Sequence, residues 1–212
     1  MLTKEVSTLL LFIDEYMNVV NPLYDRLRVL PITDLAPVFT NGVRGRTMSA
    51  SSCSWLISKV RELGVKTIID LRTADHTDKF ERKVSDAGLA YRHMPIDSKF
   101  TDAREIIASL PDFFSWLDEG NYYIACAMGL HRTDIAIALY YVFHPVVPFE
   151  CVPELRGHRK NGVLRCDDIA RRLNSIMSAL TSSDNIRMGL PDDYRDEFNR
   201  RKKHLFAVNS IF

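Results

Sequence analysis

The run Tyr122-Tyr-Ile-Ala125, followed by Cys126-Ala-Met-Gly129-Leu-His131-Arg132-Thr133 and the apolar stretch Asp134 to Phe143, restricts the fold more than any other part of the chain. An apolar tetrad reads as a buried strand, and the stretch that halts at His144-Pro145 reads as a buried helix. The five residues between Cys126 and Arg132 are then a loop joining the two. Such a unit belongs to a parallel sheet, with the loop at the carboxyl ends of the strands, where ligands bind. Backbone N–H groups in the loop can converge on one point at the positive end of the helix dipole, which suits an anion and favours a thiolate. A tetrahedral phosphate fits this description. Arg132 can grip two of its oxygens, Gly129 can take backbone angles closed to other residues, Cys126 supplies a nucleophile, and Thr133 can donate a hydrogen bond to the sulfur.

The rest of the chain repeats the alternation. A helix from about Ser51 to Leu63 ends at Gly64 and precedes the β-branched strand Val65 to Leu71. A helix near Asp78 to Ala87 ends at Gly88 before a strand Leu89 to Met94, and a third helix, roughly Asp102 to Leu117, leads into the strand carrying Cys126. The expected class is α/β, a central, mostly parallel twisted sheet flanked by helices, with helical extensions at both ends. Residues 1 to about 27 read as a helix stopped around Asn21-Pro22. Pro31 to Arg46 is turn-rich, with a short edge strand at Val38-Phe39-Thr40. Beyond the central helix, Val152 to Leu155 and Arg165 to Leu180 extend a small helical lobe. Ser182 to Asn185 reads as a linker, and an amphipathic helix from Pro191 sets Tyr194, Phe198 and Leu205 on one face.

Read as C-x5-R-T, Cys126 to Thr133 resembles the signature of the cysteine-dependent protein tyrosine and dual-specificity phosphatase superfamily. Val65-Lys-Thr-Ile-Ile-Asp70-Leu-Arg72 is similar to that family's second core strand, and Tyr91-Arg-His-Met-Pro95-Ile96-Asp97 to the strand leading into its general-acid loop. The resemblance spans about Arg44 to Leu180. It implies a dual-specificity-phosphatase-like fold, with residues 1–40 an N-terminal helical extension, 41–181 the catalytic domain, and 182–212 a linker with a helix packing on that domain. The Gly-Leu-His-Arg-Thr ending is most similar to the compact enzymes of bacteria, plants and fungi, a group that includes phosphoinositide, inositol pyrophosphate and phytate phosphatases. One departure stands out: the family usually carries His before the nucleophilic Cys, to order the loop and lower the thiol pKa, and here Ala125 stands there.

The implied reaction is phosphate monoester hydrolysis through a phosphocysteine, on a phosphoprotein, a phosphoinositide or an inositol phosphate, with neither metal nor cofactor. Cys126 would be the nucleophile, with Ala127, Met128, Gly129, Leu130, His131 and Arg132 around the phosphate. Asp97, 29 residues before Cys126, is the general acid that this chemistry calls for. Asp102 is the alternative, although Thr101-Asp102 also reads as a helix start. Asp70, inside a strand, reads as structural. Arg72, Lys99, Arg44 and Arg46 are candidates for the rim, with Arg72 equally suited to an ion pair. The basic run Arg156-Gly-His158-Arg159-Lys160, with Arg165, is either a solvated face or a site for a polyphosphorylated ligand. Loss of turnover at Ala125, leaving a phosphate-binding pseudophosphatase, is the rival reading; a rhodanese-type sulfur transferase is a weaker one.

Composition narrows the setting. A net charge of +1 gives no reason to expect nucleic acid or a charged membrane as partner. The longest apolar runs are too short to span a bilayer, and Asp14-Glu15-Tyr16 stands where a secretory cleavage site would be. Four cysteines, Cys53, Cys126, Cys151 and Cys166, form no C-x-x-C pair. A reducing, cytoplasmic setting follows, with Cys151 and Cys166 most simply core or surface residues and a reversible disulfide to Cys126 the alternative.

Overall fold

Strand β5 (Tyr122–Cys126) is apolar along its whole length because both of its faces are covered. Tyr122, Ile124 and Cys126 project into one apolar layer, and Tyr123 and Ala125 into the other. The computed structural model describes residues 21–49, 53–73, 77–97, 103–157, 159–160, 163–164 and 166–210, with 159–160, 163–164 and 166 taken by backbone alone. In it, β5 is the middle of a five-stranded sheet ordered β1-β2-β5-β3-β4, where β1 is Ala36–Val38, β2 Gly42–Arg46, β3 Thr67–Asp70 and β4 Ala90–His93. β1 and β2 form an antiparallel hairpin; β2, β5, β3 and β4 run parallel, as expected. Register sets Arg46 beside Cys126 and Asp70 beside Ala125.

Helices α1 (Pro22–Leu27), α2 (Ser54–Glu62) and α3 (Asp78–Asp86) cover one face around Leu27, Ile57, Val60, Phe80 and Val84. The other face carries α4 (Ala103–Asp118), α5 (His131–Phe143), α6 (Cys166–Ala179) and α8 (Arg195–Asn209), with the short α7 (Ser182–Arg187) before α8. α5 is buried on every side from Thr133 to Phe143, which explains its nearly uniform apolar sequence. A small hairpin, β6 (Arg159–Lys160) with β7 (Val163–Leu164), follows α5.

Several expectations need correction. Asn21-Pro22 opens a helix: Asn21 Oδ1 accepts the Tyr24 N–H at 2.9 Å, and Pro22 occupies the first turn, where its missing donor costs nothing. The first twenty residues of the helix expected there lie outside the described residues. The turn-rich stretch before Arg46 holds two strands, and the edge strand is 36–38, with Phe39 at φ 51° turning the hairpin. Residues 152–155 are irregular, and the Ser182 linker is α7, started by a capping box in which Thr181 and Asp184 satisfy each other's backbone N–H groups. Phe198 and Leu205 are buried along α8 and Tyr194 at its N-cap, as their spacing predicts, although the helix starts at Arg195 and not at Pro191.

Candidate active site

Cys126 ends β5, residues 127–130 turn, and His131 starts α5, so the cysteine lies below the helix N-terminus. Gly129 makes the turn possible: its φ is 71°, and a Cβ there would lie 2.2 Å from the Gly45 carbonyl carbon. Ala127, Met128 and His131 face solvent at the mouth, Arg132 is half-buried, and Cys126 and Thr133 are buried.

Burial raises the Cys126 thiol, but the Thr133 hydroxyl and the backbone N–H groups of Met128, Thr133 and Leu130 outweigh it and hold the thiol below its ordinary value. The Thr133 oxygen is buried with no hydrogen-bond partner in its place among the described residues, and the Cys126 thiol is the group its hydroxyl lowers. Cys151 moves the other way, raised by burial and by Glu150. The two thiols are thus shifted in opposite directions. The Arg132 guanidinium donates to the Leu71 carbonyl at 3.5 Å, and the same oxygen accepts the Ile96 N–H at 3.2 Å. Asp97, half-buried and next in sequence to Ile96, is thereby held at the same sheet edge as Arg132.

Other candidates fall elsewhere. Arg72 is committed to Asp70, which it grips with Nε at 2.9 Å and Nη2 at 2.6 Å, and its guanidinium lies 5.0 Å from the Phe80 ring centroid. Tyr91 donates to the same carboxylate at 3.0 Å, so Asp70 is structural, as read, and Arg72 is its ion-pair partner and not part of the rim. Arg44 is not on the rim either: it is wholly buried and donates from Nη2 to the Gly129 and Leu130 carbonyls, both at 2.9 Å. Arg46 is exposed and in register with Cys126. Arg159 and Lys160 are placed by backbone in β6, while Lys99, Asp102, His158 and Arg165 lie outside the described residues. A separate cleft of about 460 Å³, lined in part by Phe114, Asp118, His144 and Arg187, opens at the far end of α5 from Cys126.

The structure adds Asp134, which the sequence reading passed over. It is the one carboxylate of α5 and stands at the head of the apolar run Ile135 to Phe143, and it pairs with Arg44 Nη2 at 2.6 Å. A lone carboxylate in such a run needs a buried partner, and that was the available signal.

A model of the family described as "DSP-PTPase phosphatase fused to NAD+ Kinase" matches residues 38–149, just over half of the chain. The chain belongs to this DSP-PTPase phosphatase family. It is a cysteine-dependent, dual-specificity-like phosphatase. Among curated proteins, none matches it. Similar solved structures include a DUF442 protein of Shewanella putrefaciens (14% identity, TM-score 0.46, covering 88% of this chain and 98% of that one). TpbA of P. aeruginosa matches at 15% identity and a TM-score of 0.49, covering 74% and 91%, and a variant of it has been solved with pTyr. The core catalytic domain of the PP-IP phosphatase SIW14 from S. cerevisiae, solved with citrate, matches at 12% and 0.44, covering 84% and 96%. No described helix of the phosphatase is long and apolar enough to cross a membrane.

Proposed function

We propose that this phosphatase hydrolyses phosphate monoesters in two steps through a phosphocysteine at Cys126. The observation that carries the reading is the place of Cys126 at the end of β5, beneath the N-terminus of α5, where the Thr133 hydroxyl and the loop amides lower its thiol. In the first step the Cys126 sulfur attacks phosphorus, the bond from phosphorus to the ester oxygen breaks, and Asp97 gives its proton to the departing oxygen. In the second, Asp97 takes a proton from water, the water oxygen attacks phosphorus, and the S–P bond breaks to release inorganic phosphate and the thiolate. Arg132 and the loop amides from Ala127 to Arg132 stabilise the equatorial oxygens, and Thr133 steadies the departing sulfur.

The substrate we propose is a phosphoprotein or a phosphorylated inositol or lipid. The exposed mouth of Ala127, Met128 and His131, with Arg46 beside it, supports access by a bulky phosphate ester. Arg159 and Lys160, on the hairpin after α5, are the proposed secondary contacts for a polyphosphorylated ligand. A thiolate nucleophile also supports a reducing compartment, the cytoplasm.

Cys126→Ser is expected to abolish p-nitrophenyl phosphate turnover while vanadate binding persists; full activity in that variant would sink the covalent mechanism. Asp97→Asn is expected to slow a phosphoserine or alkyl ester by roughly 10²- to 10⁴-fold and the activated aryl ester less, because only a basic leaving group needs the proton. Equal losses on both esters would remove Asp97 from the acid role. Phosphate release from phosphopeptides, phosphoinositides and inositol polyphosphates assigns the substrate.

A further inference from the structure

We propose that the buried Arg44–Asp134 ion pair is the device that aims the amides of the catalytic loop at the phosphate, making both of them positioning residues. The proposal rests on the reading of Cys126 to Arg132 as a phosphate loop. Arg44 reaches that loop from the outside. Its Nε and Nη2 donate to the Gly129 carbonyl at 3.1 and 2.9 Å, Nη2 donates to the Leu130 carbonyl at 2.9 Å, and Nη1 donates to the Glu154 carbonyl at 3.2 Å.

The consequence follows from peptide geometry. In a trans peptide the C=O and the next residue's N–H point in opposite directions from one rigid plane. A donor that holds the Gly129 and Leu130 carbonyls outward therefore turns the N–H groups of Leu130 and His131 inward, toward the space above Cys126. Leu130 N–H is among the groups that favour the thiolate. With glycine at 129, the loop has too much backbone freedom to hold these planes unaided.

Asp134 completes the brace. It pairs with Arg44 Nη2 at 2.6 Å, and its two oxygens also accept the Arg156 N–H at 3.1 Å and the Gly157 N–H at 2.7 Å. That draws the 154–157 segment over the loop so closely that a Cβ on Gly157 would lie 2.6 Å from Leu130 Cβ and 2.7 Å from His131 N. Both charged side chains are 0% exposed. A buried ion pair of this kind is weak evidence for stability, since well-packed apolar residues often serve as well, so stability alone does not account for it. Ala125, the neighbour of Cys126, points into the opposite layer and has no polar group with which to order the loop.

The test reads the loop and not the fold. Arg44→Lys keeps a positive charge for Asp134 but loses the planar fork that serves two loop carbonyls at once. The charged and titratable residues on the elements around the loop, Arg46 on β2, Asp97 after β4, and His131 and Arg132 on α5, are unchanged in it. Iodoacetamide labelling of the Cys126 peptide, followed by mass spectrometry across pH, reports the thiol directly; vanadate titration reports the anion site. Arg44→Lys is expected to raise the labelling midpoint, weaken vanadate binding at least roughly tenfold, and lower kcat for p-nitrophenyl phosphate by about 10²-fold, the usual scale for misplaced catalytic groups. Arg44→Met with Asp134→Leu, which leaves no buried charge unpaired, is expected to do the same in a folded protein. A folded variant of either kind with the parent's labelling midpoint and vanadate affinity overturns the proposal. Neither readout needs turnover, so a failure of the phosphatase reading shows separately, as p-nitrophenyl phosphate hydrolysis that survives Cys126→Ser.

Discussion

The state of the Cys126 thiol turns on the donors around it, the Thr133 hydroxyl among them. Cys126 is buried, and burial taken alone would keep it protonated; the shift goes the other way because donors surround the sulfur, with the Thr133 side chain foremost among them. Thr133→Val keeps the shape of the buried side chain and removes the donor. It is expected to raise the pH midpoint of Cys126 labelling, so that reactivity at neutral pH falls while the high-pH plateau stays where it was. The direction is fixed by sign: a lowered thiol is thiolate over a wider pH range, and losing a group that lowers it shifts the onset of labelling to higher pH. An unchanged midpoint would mean that the amides of Met128, Leu130 and Thr133 suffice. On the proposed mechanism, phosphocysteine breakdown should slow as well, since the sulfur would leave without its donor.

Among the elements, β2 was poorly legible in the sequence, yet it supplies Arg44 to the carbonyls of the loop after β5 and Arg46 beside Cys126. Gly42-Val-Arg-Gly-Arg46 has neither the β-branched run nor the alternation of a strand, and it reads as turn. It is a strand because of what lies against it: Cβ atoms on Gly42 and Gly45 would collide with Tyr122 and Tyr123, and Arg44 is buried through its carbonyl partners and Asp134. By contrast, β3, β5 and α5 were legible because buried apolar residues run through them: Ile68 and Ile69, Tyr122 to Ala125, and Ile135 to Phe143. Cys126, Arg132 and Thr133 were legible because they are contiguous in the chain, whereas the Arg44 brace joins residues 90 positions apart and leaves only two odd charges as a trace.

The last helix likewise reaches the site through a contact that no local pattern signals. Asn209, near the end of α8, accepts the Leu155 N–H at 2.7 Å and donates to the Pro153 carbonyl at 3.0 Å, fixing the segment that continues into Arg156 and Gly157. Asn209→Ala leaves that buried N–H without a partner and is expected to cost about 1–3 kcal/mol, measured by urea unfolding. Asn209→Asp keeps an acceptor for Leu155 but sets a second oxygen against the Pro153 and Leu205 carbonyls that Nδ2 now serves, and should cost at least as much. No loss in the alanine variant would show that water replaces the side chain.

At the scale of the whole molecule, two apolar layers share one sheet, and β5 contributes side chains to both. A strand buried on both faces cannot lose one layer and keep the other intact, so the layers should melt as one unit. The protein carries its own probes for this. Its two tryptophans are divided between the layers: Trp55 stands on α2, 53% exposed, and Trp116 on α4, packed against the opposite layer. Trp55→Phe and Trp116→Phe give two single-tryptophan proteins, each reporting one side of the sheet. Ile57, on α2, and Leu139, on α5, are both fully buried, and truncating either to Ala should cost about 2–5 kcal/mol. If the layers are coupled through β5, Ile57→Ala shifts the unfolding midpoint seen by Trp116 as far as that seen by Trp55, and Leu139→Ala does the converse. Midpoints that separate, with the nearer tryptophan moving and the farther one fixed, would show that each layer folds on its own, and the loop after β5 would then depend on the α5 side alone.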